Sequence, residues 1–385
     1  MKNVQTQIKN EGQLAKALQD LAAIEPNFMV IFGSDACFNE NGWVAKVTKA
    51  FPKAQIIGCS TAGEISNQGV SDDTLVITAS HFETSSFAPV SAIVPTMFET
   101  RKAGVSLGND LKKEGLRGIF VLGKGLNVNG SALIDGLREA VGQEVVITGG
   151  LAGDGGKFQR TFTVLNGAIH DDRVVALGLY GEDMQIAYGS MGGWQAFGPV
   201  RRITKSKENV LFELDGKPAL QIYKTYLGDK VSGLPASGLL FPFALLKDNQ
   251  DTTGVIRTIL GVNEEDQSVT LAGDMPQNGI VRLMHTNNEG LVAGARGAAE
   301  AAVNSFDLKE GDAGISILIS CVGRKLVMGD DVEDELDAVN EVFGKGMVTG
   351  FYSYGEICAT AGFSECKLHN QTMTITHISE KKKAA

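Results

Sequence analysis

Long apolar runs are missing from this 385-residue sequence. No stretch approaches the ~18 apolar residues that a membrane-crossing helix requires, and the opening segment MKNVQTQIKNEGQLAKALQDL has no continuous apolar core of the kind a signal peptide carries. Cysteine is scarce and unpaired. Cys37, Cys59, Cys321, Cys358 and Cys366 are odd in number and widely spaced, with neither a CxxC pair nor a CxxCH haem-attachment site. Such usage points to free thiols in a reducing, cytoplasmic compartment. Clusters of Lys and Arg are also absent before the last few residues. With a net charge of −10 and a pI near 5.1, the chain is a poor partner for nucleic acid or an anionic membrane, because both demand grouped cations. The phosphate-cradling pattern GxxxxGK[ST] is missing, and no nucleophile elbow GxSxG accompanies Cys59. The five histidines, His81, His170, His285, His369 and His377, are never spaced to bind zinc from one helix face.

What the sequence has in quantity is glycine, 47 residues, set among 43% hydrophobic residues. The length suits two domains, or three built on a repeated unit. A repeat is visible. IGCSTAGEI, beginning at Ile57, returns as TGFYSYGEI, beginning at Thr349, in a register that places Ser60 on Tyr352, Thr61 on Ser353, Gly63 on Gly355 and Glu64 on Glu356. A fainter copy, ITGGLAGDG, aligns Ala152, Gly153 and Asp154 with Ala62, Gly63 and Glu64.

Hydrophobic periodicity organises the rest. Leu14, Leu18 and Leu21 stripe a helix, FMVIF from Phe28 is a buried strand, Val44, Val47 and Phe51 mark a second helix, and a strand from Gln55 runs into the first glycine turn. TLVITASHF and SSFAPVSAIV look like paired strands. The order recurs through a helix at 105–111, the strand GIFVLG, a helix striped by Leu133, Leu137 and Val141, and VVITGGLAGDG. It recurs again from a helix at 291–306 through ISILIS, a helix striped by Val332, Leu336, Val339 and Val342, and TGFYSYGEI to the strand QTMTITHI. Helices between apolar strands imply parallel pairing through right-handed crossovers. The expected fold class is α/β, with repeated helix-strand units forming mixed sheets, plus antiparallel hairpins such as RTILGVNEEDQSVTL. Gly233 to Gly238 is the expected domain junction, and SEKKKAA (residues 379–385) the expected disordered basic tail.

Open α/β sheets bind ligands beyond the carboxyl ends of their strands, so turns converging on one rim could form a pocket. Ser60, Thr61, Gly63, Glu64, Asp154, Ser353, Tyr354, Gly355 and Glu356 would supply its directed hydrogen bonds. In the alternative reading Glu64 and Glu356 accept backbone N–H bonds that hold the turns. Arg324 could reach an acidic ligand group, or pair with Glu333 or Glu335. Cys59 with His369 could perform acyl transfer, whereas a buried cysteine is ordinarily a packing residue. Haem needs a single axial histidine in an apolar pocket. His285 and His369 are the candidates, each with the alternative of a surface or hydrogen-bonded role.

Several of these stretches together resemble the FIST family of sensory proteins. They are IGCSTAGEI, GGLAGDG, the GW..FGP segment from Gly193 to Pro199, ELDGKPALQIYKTYLG from Glu213, ISCVGRKLVMG from Ile319, and GFYSYGEI with LHNQT following. The resemblance covers residues 20 to 378 in family order, and implies a FIST N domain over 20–230 and a FIST C domain over 231–378. It implies a cytoplasmic ligand-sensing module of bacterial signal transduction rather than an enzyme, with a small molecule such as an amino acid as ligand. The stand-alone type it resembles includes haem-b-binding nitric-oxide sensors that regulate a partner histidine kinase, and oligomers are compatible with it. A cysteine-dependent acyl transferase on duplicated α/β halves is the alternative.

Overall fold

The computed structural model describes residues 1–39, 42–234, 236–247, 252–306, 313–344, 346–359 and 365–381. Pro235, within the expected junction, and 382–385, the end of the expected tail, lie outside the described residues. The fold is mixed α/β. Three six-stranded sheets and one eight-stranded sheet are formed among the described residues.

Each six-stranded sheet is centred on one parallel pair. These pairs are Phe28–Gly33 with Gln55–Ser60, Leu116–Gly123 with Val146–Leu151, and Gly314–Cys321 with Met347–Ser353. Their strands are apolar almost throughout because both faces are covered. Phe28, Val30 and Phe32 point into a central core shared with Phe120, Leu122, Ile317, Ile319 and Phe351, while Met29 and Ile31 face the helices Glu11–Ala22 and Trp43–Ala50. The helices Thr100–Leu111 and Gly130–Val141 cover the second sheet. Asn288–Phe306 and Glu333–Phe343 cover the third.

One glycine in each pair fixes the register. A Cβ on Gly58 would stand 2.1 Å from the carbonyl oxygen of Ile31, and one on Gly149 or Gly350 would stand 1.8 Å from that of Val121 or Leu318. The three glycines are therefore equivalent, and they correct the alignment of the faint copy by one residue. Ala62 corresponds to Gly153 rather than Ala152, and Glu64 has no acidic counterpart in the second turn.

Immediately beyond each parallel pair the chain leaves its own sheet. The hairpin Glu64–Ser66/Gly69–Ser71 joins the third sheet beside Met347–Ser353. Thr163–Leu165/Ala168–His170 joins the first beside Gln55–Ser60, and Gly355–Ala359/Cys366–His369 joins the second beside Val146–Leu151. The strand exchange is cyclic. TLVITASHF and SSFAPVSAIV, expected as paired strands, also part to different sheets. Leu75–His81 lies between Lys2–Ile8 and Phe28–Gly33 in the first sheet, whereas Ser86–Ile93 crosses to pair with Arg173–Tyr180 in the second.

The third unit is interrupted between its outer strand, Met184–Met191, and the helix Asn288–Phe306 by the eight-stranded antiparallel sheet. That sheet packs on the helix Ala219–Leu227 around Tyr223, Phe243 and Leu283, and it includes the expected acidic hairpin, Ile259–Asn263 with Ser268–Leu271. The last strand, Met373–Glu380, takes in the start of the expected tail. Ser379 is buried, and Glu380 accepts the backbone N–H groups of Glu83, Thr84 and Ser85 at 2.7–2.8 Å.

Candidate functional site

The three glycine turns do converge. Ala62 N–H donates to the Tyr352 carbonyl at 2.8 Å, Gly153 N–H to that of Ser60 at 2.9 Å, and Tyr354 N–H to that of Leu151 at 3.1 Å, so equivalent groups close a ring. The polar side chains on this ring are spent on holding it. Ser60 Oγ donates to the Gly153 carbonyl at 2.6 Å and accepts from Phe162 N–H at 2.8 Å. Glu64 accepts from the Thr61 hydroxyl, and from the N–H and hydroxyl of Thr74 at 3.1 and 2.7 Å. Glu356 repeats the arrangement with Ser353 at 2.7 Å and the N–H and hydroxyl of Thr372 at 3.2 and 2.8 Å. Ser60, Glu64, Ser353 and Glu356 have no exposed surface.

Burial raises both carboxyls from 4.5 to about 7, against the lowering effect of their hydroxyl and N–H donors. Asp154 differs. Burial opposes its charge too, but donation from Tyr354 and from the N–H groups of Gln159, Arg160 and Phe158 outweighs that and holds its pKa below the usual value.

The structure brings Ser60, Thr61, Gly63, Glu64, Asp154, Ser353, Tyr354, Gly355 and Glu356 together, but as a closed hub in which Tyr354 alone reaches a cavity. Arg324 is likewise enclosed. Its guanidinium donates to Glu335 at 2.8 and 3.1 Å and to the carbonyls of Gly192 and Leu291 at 2.7 and 2.8 Å, and Tyr352 and Ser320 complete the Glu335 shell. With no exposed surface, Arg324 is a buried structural cation, paired with Glu335 rather than available to a ligand.

Neither histidine fits an axial haem ligand at the cavity. His369 is fully buried with Nε2 2.9 Å from the Cys358 carbonyl, and His285 packs edge-on against Phe197. Neither lines the cavity. Cys59 sits in the central core, where burial drives its thiol pKa well up. His369 is engaged with Cys358, not Cys59. Among the described residues, no group of three or more His, Cys, Asp or Glu is placed to hold a metal, and no helix is long and apolar enough to cross a membrane.

The cavity itself, of about 320 Å³, opens where the third turn meets the inserted antiparallel sheet. Cys321, Val322, Gly323, Tyr354 and Asn370 form the hub side, and Leu234, Leu239, Thr258, Ile259, Leu260 and Ala272 the inserted side. Polar bonds cross the seam beside it, from Gln371 Nε2 to the Leu239 carbonyl and from Arg257 Nη1 to the Leu368 carbonyl, each at 3.1 Å. Phe158 closes one edge by stacking on Tyr354, with ring centroids 4.3 Å apart and planes 11° from parallel. Of these residues the sequence pointed to Tyr354 alone as a ligand contact. Asn370 stood in the LHNQT segment, but no periodic or spacing signal singles it out, and Thr258 and Ala272 sit far from it in the chain.

Models of the FIST N domain and the FIST C domain match residues 27–217 and 219–359. The chain belongs to the FIST family. FIST domains are associated with signal transduction and small-ligand sensing. The boundary between the matched segments falls inside the insertion, and the exchanged hairpins cross it in both directions. Among curated proteins, the chain is similar to "Uncharacterized protein MJ1623" of Methanocaldococcus jannaschii, 33% identical over 97 residues. That match covers 24% of this FIST chain and 18% of the relative, so the chain spans under a fifth of its length. Among solved structures, the cyanuric acid hydrolase of A. caulinodans aligns over 99% of both chains at 9% identity with a TM-score of 0.38.

Proposed function

We propose that this FIST protein is a non-catalytic, cytoplasmic sensor of bacterial signal transduction, which binds a small ligand in the seam cavity and passes its state to a partner histidine kinase. One observation carries the reading. The cavity is walled on one side by Tyr354 of the hub with Cys321, Val322, Gly323 and Asn370 of the third unit, and on the other by the insertion, so a molecule filling it contacts both. A ligand that binds one arrangement of the seam better than another shifts the population toward it. Its size is at the lower end of small-molecule sites and its lining is mainly apolar, as such sites are. The absence of enzymatic activity is supported by the burial of all five thiols and by the commitment of the hub carboxylates to internal bonds. His285 and His369 stand away from the cavity, so the ligand proposed for it is not haem.

The test is a thermal-shift screen of neutral and charged metabolites against the full chain, with Ala272→Phe as the filled-cavity control. Hits that raise Tm in the wild type and not in Ala272→Phe are expected, and they should change autophosphorylation of the cognate kinase. A screen without any such hit overturns the reading.

A further inference from the structure

We propose that the cavity is shaped for an uncharged, ring-containing small molecule that presents one amide- or hydroxyl-type group to Thr258 and Asn370. The inference rests on the seam cavity being the ligand site.

Charge comes first. None of the described lining residues is ionic. The nearby guanidinium of Arg324 is fully engaged by Glu335 and two carbonyls, and that of Arg257 donates to the carbonyls of Asp274, Ile256 and Leu368. A carboxylate or ammonium placed here would lose its hydration without gaining a counter-ion, which is prohibitive in an apolar site. A free amino acid, with both charges, fits worse than a neutral molecule.

Two polar atoms are unspent. Thr258 Oγ1 and Asn370 Oδ1 are buried without a hydrogen-bond partner among the described residues; the two residues, 4% and 1% exposed, line the cavity, and a turn of each side chain would bring its oxygen to a ligand there. Native proteins rarely leave such atoms unpaired. A hydroxyl both gives and takes a hydrogen bond, and a side-chain amide offers a donor and an acceptor, so the pair matches a neutral group that does the same.

The wall is flat and its mouth apolar. Phe158 holds its ring against Tyr354 from a backbone with φ of 53°, a region that a bulky residue seldom enters. Its N–H is fixed by Asp154 Oδ1 at 2.9 Å. Phe158, Leu260 and Leu326 are 51%, 50% and 59% exposed and all line the same opening. Large exposed apolar side chains gathered at one mouth mark a binding site rather than ordinary surface.

Benzamide, benzyl alcohol, toluene, benzoate and L-phenylalanine titrated calorimetrically into the full chain separate the possibilities. Benzamide and benzyl alcohol are expected to bind one to one, toluene several-fold more weakly, and benzoate and phenylalanine not at all. Thr258→Val and Asn370→Leu should each weaken benzamide by roughly five- to tenfold, the loss of one neutral hydrogen bond, while leaving toluene unchanged. Ala272→Phe should abolish binding. Thr258→Val conserves shape, and an unchanged denaturation midpoint certifies its fold if the larger substitution disturbs the sheet. Benzoate or phenylalanine binding as tightly as benzamide, and lost in Ala272→Phe, overturns the ligand class while leaving the sensor site standing. Benzamide binding that survives Ala272→Phe overturns both. Failure of all five probes overturns the ligand class, and the metabolite screen then decides the sensor reading separately.

Discussion

Glu64 and Glu356 hold carboxyl groups in places where a negative charge is poorly solvated. Each has its pKa raised by burial from 4.5 to about 7. Between those values the unfolded chain releases a proton that the folded chain retains, so the stability these groups contribute is full below pH 4.5 and falls as pH rises to 7. The size of the effect is on the order of 3 kcal/mol per group. Glu356→Gln can keep its oxygen on the Thr372 N–H and turn its amide to the Ser353 hydroxyl. Urea denaturation at pH 5 and pH 8 should show the variant losing about half as much stability across the interval as the wild type. A wild-type pH slope in the variant would rule out Glu356 as a titrating group. Cys59 gives a second outcome at this scale. With no exposed surface and a raised thiol pKa, it should resist iodoacetamide in the native state and react only on unfolding, as mass spectrometry of the labelled peptide would report.

At the scale of elements, the close approach of glycine to a neighbouring backbone is the decisive device. Gly350→Ala would drive a methyl group into the Leu318 carbonyl. It should cost about 3 kcal/mol, read as a lower urea midpoint, whereas Gly329→Ala, where a Cβ would meet nothing within 4 Å but φ is 57°, should cost about 1 kcal/mol from backbone conformation alone. Much of this scale was legible in the sequence. The helices and parallel strands follow from stripes such as Leu14, Leu18 and Leu21 and from runs such as FMVIF, because period and composition report directly on which faces are covered. The destination of a strand after its turn was not legible. Nothing local distinguishes a hairpin that returns to its own sheet from one that joins the next, nor shows that TLVITASHF and SSFAPVSAIV, neighbours in sequence, belong to different sheets. The hub residues were found because they repeat. The cavity was not, since it is made by side chains from Phe158 to Asn370 that meet only through the exchange and the insertion.

At the scale of the molecule, the FIST N segment takes a partner strand from the C-terminal segment and gives one back. Residues 1–218 expressed alone would leave Glu64–Ser66 without Met347–Ser353, and Val146–Leu151 without Gly355–Ala359. This fragment should lack a cooperative thermal transition by circular dichroism, and co-expression with residues 219–385 should restore one. A cooperatively folded 1–218 fragment would show that the exchange is dispensable. The ring of three backbone hydrogen bonds at the hub has a further consequence. A linear chain of contacts can absorb a displacement at its loose end, but a closed ring has none, so Tyr354 cannot shift without disturbing Leu151, and through the shared turns Ser60 and Tyr352. A push on any one turn of the hub is therefore shared by all three, and Tyr354, which belongs to the ring and also lines the cavity, is the point where the two meet.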